Sequence, residues 1–114
     1  MERPLQTVVE TAEFLARSSK LMSDEQRARL VEMLARDPEC GEIMRGTGGV
    51  RKIRVALAGR GKSGGARVIY YFHSERLLLF ALTVFAKNER ANLRLAERNA
   101  MALVVRAIKH QFEG

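Results

Sequence analysis

The stretch from Leu77 to Ala86 is apolar throughout, except at Thr83, and carries no charge. It is about half the length a helix needs to cross a bilayer. So short and uniform a run reads, over Leu77 to Phe85, as a central β-strand covered on both faces. The two segments before it alternate instead. In Val50 to Leu57, Ile53, Val55 and Leu57 fall on one side and Lys52 and Arg54 on the other. In Ala66 to Phe72, Val68, Tyr70 and Phe72 oppose Arg67, Ile69 and Tyr71. That period of two marks strands with distinct faces. A glycine-rich loop, Gly59 to Gly65, and a turn, His73 to Arg76, connect the three. Consecutive strands joined this tightly imply an antiparallel meander.

The flanking segments supply cover. Leu5 to Glu10 is rich in β-formers and reads as a first strand. Thr11 to Ser18 follows with Ala12, Leu15 and Ala16 in helical spacing. Ser23 is a good N-cap with Gln26 three residues on, the spacing of a capping box. Leu30, Val31 and Leu34 then form an apolar stripe, and Asp37-Pro38 ends that helix. Glu39 to Gly49 reads as loop. From Leu95 to Phe112 the residues Met101, Val104, Val105, Ile108 and Phe112 line one helical face. The expected architecture is α+β: an antiparallel sheet of about four strands, an N-terminal helical hairpin over one face, and a C-terminal helix.

A chain of 114 residues, read as one domain over 1–114, can bury one modest core. With 46% hydrophobic and 29% charged residues it falls outside the disordered and disulfide-stapled classes. Its single cysteine, Cys40, cannot bridge within the chain, which fits a reducing cytoplasm. Neither a signal peptide nor a membrane span is visible, so no membrane partner is expected.

The net charge of +7 favours polyanionic partners. Its distribution says more. Residues 45–74 hold seven basic side chains and no acidic one, whereas residues 1–44 are net acidic. Lys52 and Arg54 share a strand face, Lys62 lies in the next loop, and Arg67 opens the following strand. Same-face residues on paired strands come within side-chain reach. Such a patch repels itself, and a phosphodiester gives a reason to gather it, because guanidinium groups match phosphate oxygens. Lys87, at the end of the apolar strand, extends the patch; Arg51 has the parity of the apolar positions. Gly61-Lys62-Ser63 is not a nucleotide-binding P-loop, since Leu57 stands where its first glycine belongs and a strand follows. The two histidines, His73 and His110, are far apart, and no cluster has metal-ligand spacing, so neither metal nor cofactor is expected.

Three segments in order, Gly48-Gly49-Val50-Arg51-Lys52-Ile53-Arg54, Gly61 to Tyr71, and Phe85-Ala86-Lys87-Asn88-Glu89, closely resemble the RelE/HigB toxin family, in particular its HigB-like branch. The resemblance covers nearly the whole chain. It implies a compact sheet flanked by helices and a type II toxin–antitoxin system. It also implies metal-independent, ribosome-dependent cleavage of messenger RNA, and neutralisation by a cognate antitoxin. By motif position, Arg67 is similar to the family arginine at the scissile phosphate, Lys62 to a loop lysine, and Lys87 or Asn88 to a late basic residue. Arg67, Lys62, Lys87 and Arg54 are thereby expected at the reacting phosphate. Lys52, Arg51, Arg60, Asn88, Tyr71 and His73 are expected along the bound RNA. The RNA 2′-hydroxyl would attack its neighbouring phosphorus, with Lys62, then Lys52, as candidate base. Three positions depart from the pattern: Ala66 replaces an aromatic residue, Arg94 replaces a serine, and no tyrosine follows Asn88. They leave the general base open. Two other functions share these features: a ParE-like gyrase-inhibiting toxin that cuts no RNA, and a nucleic-acid-binding module without catalysis.

Overall fold

The computed structural model describes residues 5–57, 65–89 and 92–113. Its elements run β1 (Thr7–Glu10), α1 (Ala12–Leu21), α2 (Asp24–Arg36), β2 (Glu42–Ile43), β3 (Val50–Val55), β4 (Ala66–His73), β5 (Leu78–Ala86) and α3 (Leu95–Glu113), with a 3-10 turn over Ser74–Arg76. The α+β class and the order of the elements are as expected.

The sheet differs from the expectation in two ways. It has five strands, ordered β1-β5-β4-β3-β2, and β1 pairs parallel to β5. The pairs β2–β3, β3–β4 and β4–β5 are antiparallel. A strand apolar on both sides needs hydrogen-bonding neighbours along both edges, and β1 supplies the second one. The extra strand, β2, is two exposed residues inside the stretch read as loop. It leaves no pattern because two residues carry no period. Thr47 and a pair of glycines turn the chain from β2 into β3. The Thr47 hydroxyl donates to the Met44 carbonyl (2.6 Å) and accepts from the Val50 N–H (3.0 Å). Gly48 and Gly49 sit at φ 78° and 119°, a region that side chains disfavour.

Two cores occupy the two faces. Phe14, Leu30 and Leu34 of the helical hairpin pack on Val68, Tyr70, Leu79 and Val84. Leu93 and Val105 cover Val50, Ile69, Tyr71 and Phe85 on the other face. The alternation read in β3 and β4 therefore sorts side chains as expected. In β5 it cannot, because the register against β4 shifts between Ile69 and Tyr70, leaving Leu82 as an extra residue. Such a bulge changes which face the following residues meet. Thr11 secures it: its hydroxyl reaches the Ala81 and Leu82 carbonyls at 2.8 and 3.0 Å. The same oxygen caps α1 by accepting from the Phe14 N–H at 3.2 Å.

The capping box at Ser23 is half formed. The Ser23 hydroxyl accepts from the Gln26 N–H at 3.1 Å, while the Gln26 side chain donates to the Ala56 carbonyl and ties α2 to the end of β3. Among the described residues no helix is long and apolar enough to cross a membrane.

Candidate functional site

Lys52 and Arg54 lie on the α3 face of β3, and Arg67 lies on the same face of β4. Arg54 and Arg67 are direct partners in the ladder. Side chains of opposed residues leave from points about 5 Å apart, and like charges placed so are destabilising. Yet Arg67 is 7% exposed, and among the described residues no carboxylate pairs with it. Its guanidinium makes one long contact, to the Ala66 carbonyl at 3.4 Å. Burial, and then the charge of Arg54, hold its pKa below the ordinary arginine value. Both effects disfavour the charged form, and an arginine stays charged nonetheless. A bound anion would relieve both.

The space over this pair is a cleft of about 530 Å³, whose walls include Lys52, Arg54, Arg67, Lys87, Asn92 and Glu42. Lys87 is placed by the end of the sheet: its N–H donates to the Gly65 carbonyl at 2.8 Å where β4 begins and β5 ends. The Lys52 ammonium donates to Asn92 Oδ1 at 3.2 Å, which fixes its direction. Cys40 also borders the cleft, in a segment held by a buried anchor. There the Tyr70 hydroxyl accepts from the Gly41 N–H at 2.8 Å, with Cys40 Sγ at 3.8 Å. A Cβ on Gly41 would stand 2.7 Å from that hydroxyl, so the close approach requires glycine. Burial is the main cause that pushes the Tyr70 phenol well above its ordinary value.

The structure thus gathers four of the expected site residues, Arg54, Arg67, Lys52 and Lys87. It sets four others apart. Arg51 lies on the opposite face, where its guanidinium donates to the Glu39 and Gly41 carbonyls and pairs with the Glu39 carboxylate. Asn88 is exposed in the turn after β5, outside the cleft walls. Tyr71 and His73 have the parity of Arg67 but lie under α3, where the Tyr71 hydroxyl and His73 Nδ1 are 3.0 Å apart and the His73 ring meets Phe112 at 5.5 Å. They are buried because the apolar face of α3 covers that end of the sheet. Lys62 and Arg60 lie outside the described residues. Sequence reasoning missed Glu42, Cys40 and Asn92. All three stand in irregular or two-residue segments whose position depends on partners far along the chain. Among the described residues no group of three metal-ligating side chains gathers.

A small mixed sheet with a helical hairpin on one face and a single helix on the other is an architecture found in solved bacterial toxins. A mutant of the Escherichia coli toxin RelE in the free state matches with a TM-score of 0.58 at 20% identity, over 87% of this chain and 95% of that one. The E. coli RelBE toxin–antitoxin complex matches at 0.54 and 22%, over 69% and 93%. The RelBE2 complex of Mycobacterium tuberculosis matches at 0.54 and 21%, over 81% and 100%. These likenesses establish the fold. Residues 14–112 match the family described as the RelE toxin of the RelE/RelB toxin–antitoxin system, and the chain belongs to that family.

Proposed function

We propose that the chain is a ribosome-dependent messenger RNA endonuclease of the HigB-like branch, acting in the cytoplasm and silenced by an antitoxin that covers the basic cleft. The observation that carries this reading is the pair Arg54 and Arg67, opposed on neighbouring strands with no carboxylate between them among the described residues. Folding alone gives no reason to set two guanidinium groups across from one another, one of them buried. A phosphodiester does, since each forked donor can take phosphate oxygens.

In this reading Arg67 and Arg54 bind the scissile phosphate. They stabilise the negative charge that grows on its oxygens as the 2′-hydroxyl attacks, and fixed, partly desolvated donors are effective at this. Lys52, steadied by Asn92, holds the flanking backbone, and Lys87 stands on the side of the leaving 5′-oxygen. No metal is needed, because the arginines supply the positive charge. An acidic segment of the antitoxin would neutralise the cleft by the same electrostatics.

The test is cleavage of a defined messenger RNA on programmed ribosomes by the purified chain and its Arg67→Ala variant, with 5′ ends mapped. Cuts by the parent alone, with both proteins folded, support the reading. Intact RNA accompanied by gyrase inhibition, or RNA binding that weakens with salt without any cut, would replace it.

A further inference from the structure

Among the described residues the cleft walls include one carboxylate, Glu42, and four cations. Its residue is the Cα partner of Lys52 across β2 and β3. Facing side chains at that spacing commonly form an ion pair. Here Lys52 turns instead to Asn92 Oδ1, and among the described residues Glu42 has no ion pair. The rest of the patch explains why this matters. Residues 45–74 exclude acids altogether, yet the two-residue strand that precedes them brings one carboxylate to the rim of the cleft. β2 lies two strand spacings, about 10 Å, from β4, and Arg67 stands two residues along β4 from Ile69, the position in line with Glu42 and Lys52, so a bound phosphate with its ribose would lie between them.

We propose that Glu42 is the general base of this site, taking the proton of the RNA 2′-hydroxyl. The proposal rests on the reading of the cleft as an RNA-cutting site and assigns its open catalytic position. In the step, the 2′-O–H bond breaks and the proton passes to a Glu42 carboxylate oxygen. The 2′-oxygen bonds to phosphorus while the P–O5′ bond breaks. The electron pair remains on the 5′-oxygen, which is protonated by the Lys87 ammonium. The products are a 2′,3′-cyclic phosphate and a 5′-hydroxyl end. Solvent then restores both groups. Arginines on the phosphate and a carboxylate on the nucleophile divide the work by charge: the cations grip the anion, and the one carboxylate of the wall among the described residues serves the hydroxyl. Lysine at that place would first have to shed its proton among other cations.

The experiment compares the parent, Glu42→Gln and Glu42→Asp on programmed ribosomes with a defined messenger RNA, in single-turnover rates and in binding of the same RNA. General bases contribute about 10²–10⁴-fold. The expected result is a loss of at least ~100-fold in Glu42→Gln with binding held within about twofold, and partial recovery in Glu42→Asp. Glutamine has the same shape and the site is exposed, so melting curves should coincide. If Glu42 merely screens the cations, neutralising it tightens RNA binding and leaves the rate of bound RNA unchanged; that result overturns the proposal while the nuclease reading stands. If the parent itself cuts nothing, both fall together.

Discussion

The same face of the sheet carries two ends of opposite character. At one end Lys52, Arg54 and Arg67 line an open cleft. At the other, Tyr71 and His73 lie buried beneath the end of α3, closed by Phe112. Alternation along β4 gives Arg67, Ile69, Tyr71 and His73 the same side, so strand parity does not distinguish them. Cover does. The helix meets the sheet at Val105, with Leu93 packing just ahead of it, and is fastened at its far end by Lys109 to the Gly48 carbonyl and by Arg76 to the Phe112 carbonyl. The cations begin where that cover stops. One end is held by apolar contact and closed hydrogen bonds, and the other keeps cations that, among the described residues, have no carboxylate paired with them.

If this division is correct, substitutions at the two ends must fail differently. The largest effect should come from Arg67→Ala. Loss of one fixed donor to a developing oxyanion costs about 10²–10³ in rate, and cleavage by this variant should fall at least that far. Its melting temperature should equal or exceed the parent's, because a buried guanidinium opposite Arg54 disappears. A destabilised Arg67→Ala would break the contrast. Arg54→Ala, whose side chain is exposed, should lose less activity, about tenfold by the tenfold-per-1.4 kcal/mol rule applied to one charge-assisted bond. It too should fold at least as stably.

At the covered end the order reverses. Phe112→Ala should destabilise the chain by about 1–3 kcal/mol, as for truncating a partly buried aromatic side chain, while cleavage per folded molecule stays at the parent value. Denaturant titration and a cleavage assay on the same sample check both halves. Tyr71→Phe, which removes the contact to His73 Nδ1, should cost about 1 kcal/mol and no activity.

Tyr70 sharpens the comparison from the opposite face, since it anchors the segment carrying Cys40 and Glu42. Its phenol is raised above the ordinary value of 10.0. The unfolded chain therefore ionises first, so the stability this group contributes is complete below pH 10 and declines as pH rises beyond it. Tyr70→Phe should flatten that alkaline decline when unfolding is followed against pH. At neutral pH it should cost about 1–3 kcal/mol by leaving the Gly41 N–H without its acceptor.

Much of this was legible before any coordinates. The period-two pattern placed Lys52, Arg54 and Arg67 on one side, and the structure keeps them there because apolar Ile53, Val55 and Val68 must face the helical hairpin. Parity groups Arg51 with the apolar positions, against its expected place along the RNA, and the structure follows parity. The same pattern could not separate Arg67 from Tyr71 and His73, since which stretch of a face a distant helix covers is not a local property. Nor could it find Glu42 or Asn92, which enter the cleft only through pairing with β3 and through the path into α3.

The sequence by itself determined which residues alternate, which run is buried on both sides, and where positive charge accumulates, because these follow from neighbours a few positions apart. Tertiary structure decided that β1 closes the far edge in parallel, that Leu82 bulges, and that one end of a uniform face stays open. Those outcomes depend on contacts between segments as far apart as Thr11 and Ala81, for which no spacing along the chain provides a sign.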